Sequence, residues 1–198
     1  MRRATIWGVL SAGIAALSAT PVTASSSAGG EPQAASPLSS FVGFEEPQYQ
    51  VDALATTFRV RVVLEPVPQA GLISYGVTLK FDAQAFDVAK PGIEIPAPLD
   101  FNGLQGPGAF TDVGPGYASV KGTVDLMGQA AVRYDASLLA SFVLIPKDLE
   151  PGGAYELVLE PFYTVGPDEA LYVTGEGGVL DAEMVFGRAS LEVIPEPG

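Results

Sequence analysis

Strict two-residue alternation, repeated in short runs, is the feature that most constrains how this chain can fold. Over residues 56–64, Phe58, Val60, Val62 and Leu64 share one face, while Arg59 and Arg61 share the other. Successive side chains of a strand point to opposite sides, so this run predicts a half-buried β-strand. Residues 72–81 repeat the pattern, with Ile73, Tyr75, Val77, Leu79 and Phe81 opposite Ser74, Gly76, Thr78 and Lys80. The segment 66–71, with Pro66, Pro68 and Gly71, reads as a turn joining the two runs into an antiparallel pair.

Further strands follow along the chain. Residues 117–126 place Ala118, Val120, Val124 and Leu126 inward and Ser119, Lys121, Thr123 and Asp125 outward. Residues 130–134 are expected to pair with that run across Met127-Gly128-Gln129. Residues 138–145 are apolar on both faces except Ser141, which predicts a central, fully covered strand. Residues 154–160 turn Tyr155, Leu157 and Leu159 inward and Glu156 and Glu160 outward. Residues 171–174, 180–186 and 189–193 complete the set. The middle is looser: 86–88 and 93–95 are short apolar pieces separated by Pro91-Gly92, and 96–116 reads as a long Pro/Gly-rich loop carrying Phe101, Phe110 and Val113. Short strands between Gly/Pro turns, with no amphipathic helix, predict an all-β sandwich or barrel.

The N-terminus reads as a targeting segment. Arg2 and Arg3 precede an uncharged, apolar run over 4–17, and Val22-Thr23-Ala24 supplies the small residues that signal peptidase reads. The run falls short of the ~20 residues needed to span a bilayer. Residues 1–24 are therefore expected to be a signal peptide cut after Ala24, with no membrane span in the mature chain as given. Residues 25–47 form a Ser/Ala/Pro-rich leader, flexible because it has little apolar material to offset its ordering entropy. Ordered structure is expected from Phe41 or Gln48, and 48–193 is assigned to the sandwich. One domain of that size suits the 198-residue chain.

Charge and composition narrow the chemistry. The chain carries −13, and loss of Arg2 and Arg3 with the signal takes it to −15. Nucleic acid and anionic lipid both reward positive charge, so neither is an expected partner. Cysteine and histidine are absent. Ser-His and Cys-His nucleophilic catalysis is thereby excluded, and zinc, copper and non-haem iron lose their usual ligands. Calcium remains the one metal whose oxygen ligands are present, but Asp100-Phe101-Asn102-Gly103, Gly166-Pro167-Asp168-Glu169 and Gly175-Glu176-Gly177 lack the later ligands of a calcium loop. Turn chemistry accounts for all three, so no cofactor is expected. Gly106-Pro107-Gly108 and Gly114-Pro115-Gly116 lack the helix and Lys-Ser/Thr of a phosphate loop.

Three patches resemble a cohesin-type module. Phe81-Asp82-Ala83-Gln84-Ala85-Phe86-Asp87-Val88 is similar to the run that closes an early cohesin strand. Residues 138–145, Pro151-Gly152-Gly153 and 155–159 resemble a later strand, turn and strand, and 175–193 resembles the module's glycine-rich ending. The resemblance implies a two-sheet antiparallel jelly-roll sandwich of about nine strands. It also implies a non-catalytic role, because cohesins bind dockerin modules through one sheet face. Related sandwiches bind polysaccharide, which is the alternative ligand class. A carboxylate-dependent glycosidase is the remote one.

The final residues resemble the start of a PEP-CTERM sorting signal: Pro195, Glu196 and Pro197 follow the last strand at once, and the prolines cannot continue a ladder. Residues 194–198 are expected to begin a sorting tail, with an apolar span and basic cluster encoded beyond Gly198. The resemblance implies handling by export and sorting machinery of a Gram-negative cell, from periplasm to surface or extracellular matrix. Candidate ligand contacts are Tyr117, Tyr134, Tyr163 and Tyr172, with a place in the core or at a strand edge as the plainer role for each.

Overall fold

The computed structural model describes residues 39–101, 109–125, 134–147, 149–162 and 171–195. Twelve strands occur among them: β1 (Phe41–Phe44), β2 (Gln48–Asp52), β3 (Phe58–Glu65), β4 (Leu72–Lys80), β5 (Phe86–Glu94), β6 (Phe110–Gly114), β7 (Tyr117–Thr123), β8 (Leu138–Pro146), β9 (Ala154–Pro161), β10 (Val173–Thr174), β11 (Val185–Phe186) and β12 (Arg188–Ile194). A single 3-10 turn, Asp181–Glu183, is the helical element among the described residues. The strands form two sheets, in the order β11-β1-β3-β8-β5 and β2-β12-β9-β4-β7-β6, with β10 added on β4. This is the all-β sandwich that the alternation predicts, with the two-sheet jelly-roll architecture that the resemblance implies.

The inward phases of the strands make the core. Val60, Val62, Leu64, Phe142 and Leu144 of the smaller sheet are fully buried, as are Tyr75, Val77, Leu79, Val120, Leu157 and Leu191 of the larger. Each such side chain contributes about 1.5–3 kcal/mol of transfer free energy, which lets the fold stand without disulfides.

Several expectations are corrected. β3 and β4 are not a hairpin. β3 pairs with β1 and β8 in one sheet, while β4 pairs with β7 and β9 in the other. The segment 66–71 is a crossover between sheets, ending at Gly71 with φ 66°. Period-2 patterning marks a strand's buried side but not its neighbours. The pieces 86–88 and 93–95 are one strand, β5, with an irregularity between Val88 and Ile93. Within the expected loop 96–116, Phe110–Gly114 is a strand, because Pro115-Gly116 is a two-residue turn that folds it back on β7. Tyr134 bridges to Leu72 of β4 rather than to β7, and 126–133 lie outside the described residues. Residues 180–186 are not one strand: the 3-10 turn occupies Asp181–Glu183, leaving only β11.

β1 lies inside the segment read as leader. Val42 and Phe44 enter the core, so Phe41, the earlier of the two expected starts, already belongs to the sandwich. Nor is the sandwich wholly antiparallel, since β1 runs parallel to β11 and β2 parallel to β12.

The motif residues have visible work in the turns. Asp82 accepts from the Gln84 amide through Oδ1 (2.7 Å) and from the Phe86 amide through its carbonyl (2.9 Å), turning the chain from β4 toward β5. Asp181 accepts from the backbone amides of Leu171 (2.9 Å) and Tyr172 (2.6 Å), pinning the return into β10.

Candidate interaction face

The outward phase of the larger sheet forms one broad surface. Register sets its rows. Thr78 stands beside Ser119 on β7 and Glu160 on β9, and Lys80 stands beside Tyr117 and Val158. On the far side Asp112 of β6 opposes Ser119, and Arg188 of β12 opposes Val158. The floor is made of short side chains. Thr78 and Ser119 are buried there and satisfy one another, oxygen to oxygen at 2.8 Å.

Across this floor runs a chain of charged and aromatic groups. Glu160 lies 3.8 Å from Lys80 Nζ, which sits 5.3 Å over the Tyr117 ring. The Tyr117 hydroxyl donates to Asp112 (3.1 Å), and this hydrogen bond, ahead of the carboxylate's charge, raises the phenol's pKa. Arg188 and Glu156 pair at 2.9 Å on the neighbouring strands. Glu156 and Glu160 thus point outward as the alternation predicts, each beside a cation. These pairs are exposed and contribute little to stability, but they fix the pattern of charge a partner would meet.

At one end of the floor stands an apolar ridge. Phe162 and Leu171 lie directly over Gly76 of β4, where an added Cβ would come within 2.8 and 3.0 Å of them. Phe110, 52% exposed, packs edge-on against Phe162 with ring centroids 6.1 Å apart. The outward phase of β7 brings a further correction. Ser119, Lys121 and Thr123 belong to the outward phase of β7, yet they are buried. Burial lowers the pKa of the Lys121 ammonium.

The opposite face of the sandwich is arranged differently. Arg59 grips Glu94 through two nitrogens, and Arg61 holds Glu45 at 2.6 Å. The hydrogen bond from Arg59, foremost, holds the Glu94 carboxyl below its usual range. Phe41 lies over Gly43 and Gly187.

Of the three candidate tyrosines among the described residues, Tyr117 alone is placed at a surface, at the end of β7. Tyr134 is a core residue whose hydroxyl donates to the Leu138 carbonyl. Tyr172 is 1% exposed and packs edge-on against Phe186. These two rings are occupied by packing and cannot serve as ligand platforms. Tyr163 lies outside the described residues, as do Ala24, Glu196 and Pro197, while Pro195 is exposed directly after β12. The residues that sequence reasoning did not single out are Lys80, Asp112, Phe162 and Arg188. Their outward phase was readable for Lys80, but their meeting depends on cross-strand register. No group of three or more metal-ligating side chains is present among the described residues.

No family model and no curated protein matches this chain. Solved structures do. The third ScaC cohesin of Acetivibrio cellulolyticus, solved with a ScaB dockerin, superposes with a TM-score of 0.57 at 18% identity, covering 78% of this chain and 99% of that one. The fold is that of a cohesin module. The OlpA cohesin of Clostridium thermocellum, also solved with a dockerin, gives 0.56 at 13% identity, over 79% and 100% of the two chains. A type III cohesin from the cell-surface anchoring scaffoldin ScaE of Ruminococcus flavefaciens gives 0.53 at 17%, over 84% and 93%. At these identities the likeness establishes the cohesin-like architecture alone.

Proposed function

We propose that this domain is a non-catalytic interaction module of an exported protein, holding a protein partner on the outer face of its larger sheet. The observation that carries the reading is the join of an aromatic ridge, Phe110 and Phe162, to a flat polar floor bearing a fixed row of charges. Protein interfaces gain most of their energy from a few desolvated aromatic or cationic anchors inside a polar rim. The cohesin-like neighbours solved with dockerins lend support to a protein ligand.

Polysaccharide is the weaker reading. Sugar binding calls for open aromatic rings, whereas Tyr134 and Tyr172 are buried and Lys80 lies over the Tyr117 ring. Export rests on residues 1–24 with cleavage after Ala24, and surface sorting in a Gram-negative envelope or matrix rests on Pro195, Glu196 and Pro197.

Immobilised domain, exposed to the exported proteins of its source cell, tests the reading together with a glycan array and a glycoside hydrolysis screen. We expect a retained protein whose affinity falls at least tenfold with Lys80→Glu or Phe110→Ser. Arg59→Ala, on the opposite face, should leave it unchanged. Tight glycan binding with no protein partner would overturn the proposal, as would glycan cleavage.

A further inference from the structure

β5 and β6 are the last strands of the two sheets, and among the described residues no further strand covers either edge. Between them is a hollow of about 320 Å³ lined by Ile93, Ile95, Ala109, Phe110, Asp100 and Thr111. All five residues of β6 lie at least partly open to solvent, and Phe110 and Val113 are exposed apolar side chains.

The backbone of β6 is half used. Gly114 and Tyr117 flank the Pro115-Gly116 turn and form a hydrogen-bonded pair. Such pairs alternate in an antiparallel ladder, so Phe110, Asp112 and Gly114 turn their N–H and C=O groups to β7. Thr111 and Val113 turn theirs away from the sheet, and among the described residues no strand pairs with that side. The edge already takes a partner one step upstream, where the Ala109 amide, in the same phase, donates to the Phe101 carbonyl at 2.7 Å. Natural edges are commonly blunted by lysine, proline or an inward-pointing charge. Between Phe110 and Val113 there is none of these, because Asp112 points outward beside Tyr117.

From this geometry we propose that β6 is a strand-addition site, and that its occupant is an extended partner segment alternating apolar and basic residues. The ladder would run through Thr111 and Val113. Alternate side chains of the added strand face the sandwich interior, where the hollow beside Ile93 and Ile95 accepts an apolar group. The other side chains face outward beside Asp112, with Asp100 at the rim, both exposed carboxylates. The chain's charge of −13 favours a cationic segment and disfavours a second copy of itself, which would add like charge along the same edge. This site is the rim of the sheet: it borders the face at Phe110 and Asp112, but its ladder through Thr111 and Val113 is its own, so Val113→Pro should leave binding on the face in place.

The probe is the capped heptapeptide Lys-Val-Lys-Val-Lys-Val-Lys, followed by fluorescence anisotropy against the whole chain. Two controls bracket it: Glu-Val-Glu-Val-Glu-Val-Glu, and the block peptide Lys-Lys-Val-Val-Val-Lys-Lys of identical composition. The alternating basic peptide should bind at least tenfold more tightly than either, and the Thr111 and Val113 amides should become protected from hydrogen exchange. Val113→Pro removes an outward donor that β7 does not use, so it should abolish binding while leaving the thermal midpoint in place. N-methylation of alternate peptide amides tests the same ladder without altering the protein, and should weaken binding at least tenfold. Equal binding by the block peptide, unprotected amides, no binding at millimolar peptide, or indifference to both Val113→Pro and N-methylation would overturn the proposal.

Discussion

The ring of Tyr75 lies against Gly122, its cross-strand partner on β7, and its hydroxyl reaches across the core to donate to the Leu139 carbonyl. The glycine is what lets the ring lie flat, since a Cβ at position 122 would overlap it. Gly122→Ala should therefore destabilise the domain by about 1–3 kcal/mol, the usual range for overpacking. Tyr75→Phe keeps the ring and strips a buried carbonyl of its donor, at a cost of about 1–3 kcal/mol. Urea unfolding of the two variants and the parent measures both.

Asp181 is expected to matter more than its surface position suggests. Its carboxylate accepts two backbone amides, from Leu171 and Tyr172, that have no ladder partner there. Asp181→Ala should cost about 1–3 kcal/mol and raise proteolytic cutting near β10. Asp181→Asn keeps an acceptor and should recover part of the loss.

Alkaline titration gives a signed prediction. Burial, first of all, raises the pKa of Tyr75 and Tyr172 far above that of a free phenol. In the unfolded chain both ionise near 10. Their preference for the folded state is whole below that pH and is lost as pH rises through and beyond it. Absorbance at 295 nm should show an early phase from accessible tyrosines and a late phase that coincides with loss of the β-sheet circular dichroism signal. Tyr172→Phe should shrink the late phase and leave the early one alone.

Gly76 tests the cover on the larger sheet. Gly76→Val would push against Phe162 and Leu171. It should lift the ridge, expose Lys121, and speed reaction of that lysine with an amine-modifying reagent at least several-fold. Phe162→Ala should do the same with less loss of stability. An unchanged modification rate in both would mean that the ridge does not shield Lys121.

Much of the fold was legible because alternation reports burial directly. The faces of β3 and β9 could be assigned from alternation alone, and Asp82 and Asp181 sit where their motifs place them, whereas β8, expected to be fully covered, leaves Ile145 37% exposed near its end. Pairing was not legible. The phase of β3 is the same whether its neighbour is β4 or β8, so the crossover at 66–71 passed for a hairpin. β6 was hidden by Pro115 and by its short length, although Pro-Gly between two alternating runs is a turn signal. The face was harder still. Tyr117 was named on its residue type, but Lys80, Asp112 and Glu160 gain meaning only when four strands are set in register. Tyr134 and Tyr172 show the converse, since aromatic residues near turns serve the core as readily as the surface.

The parallel pairing of β2 with β12 has a consequence for the order of events during synthesis. β2 is the second strand to be made, yet its one partner among the described strands is the last. Until residues 188–194 have left the ribosome, β2 has nothing to lie beside and β9 remains an open edge. The β4, β6, β7 and β9 part of the larger sheet can pair without them, but its β2 side cannot. A cut before residue 188 would therefore leave two strands of one sheet, β2 and β9, each short of a neighbour.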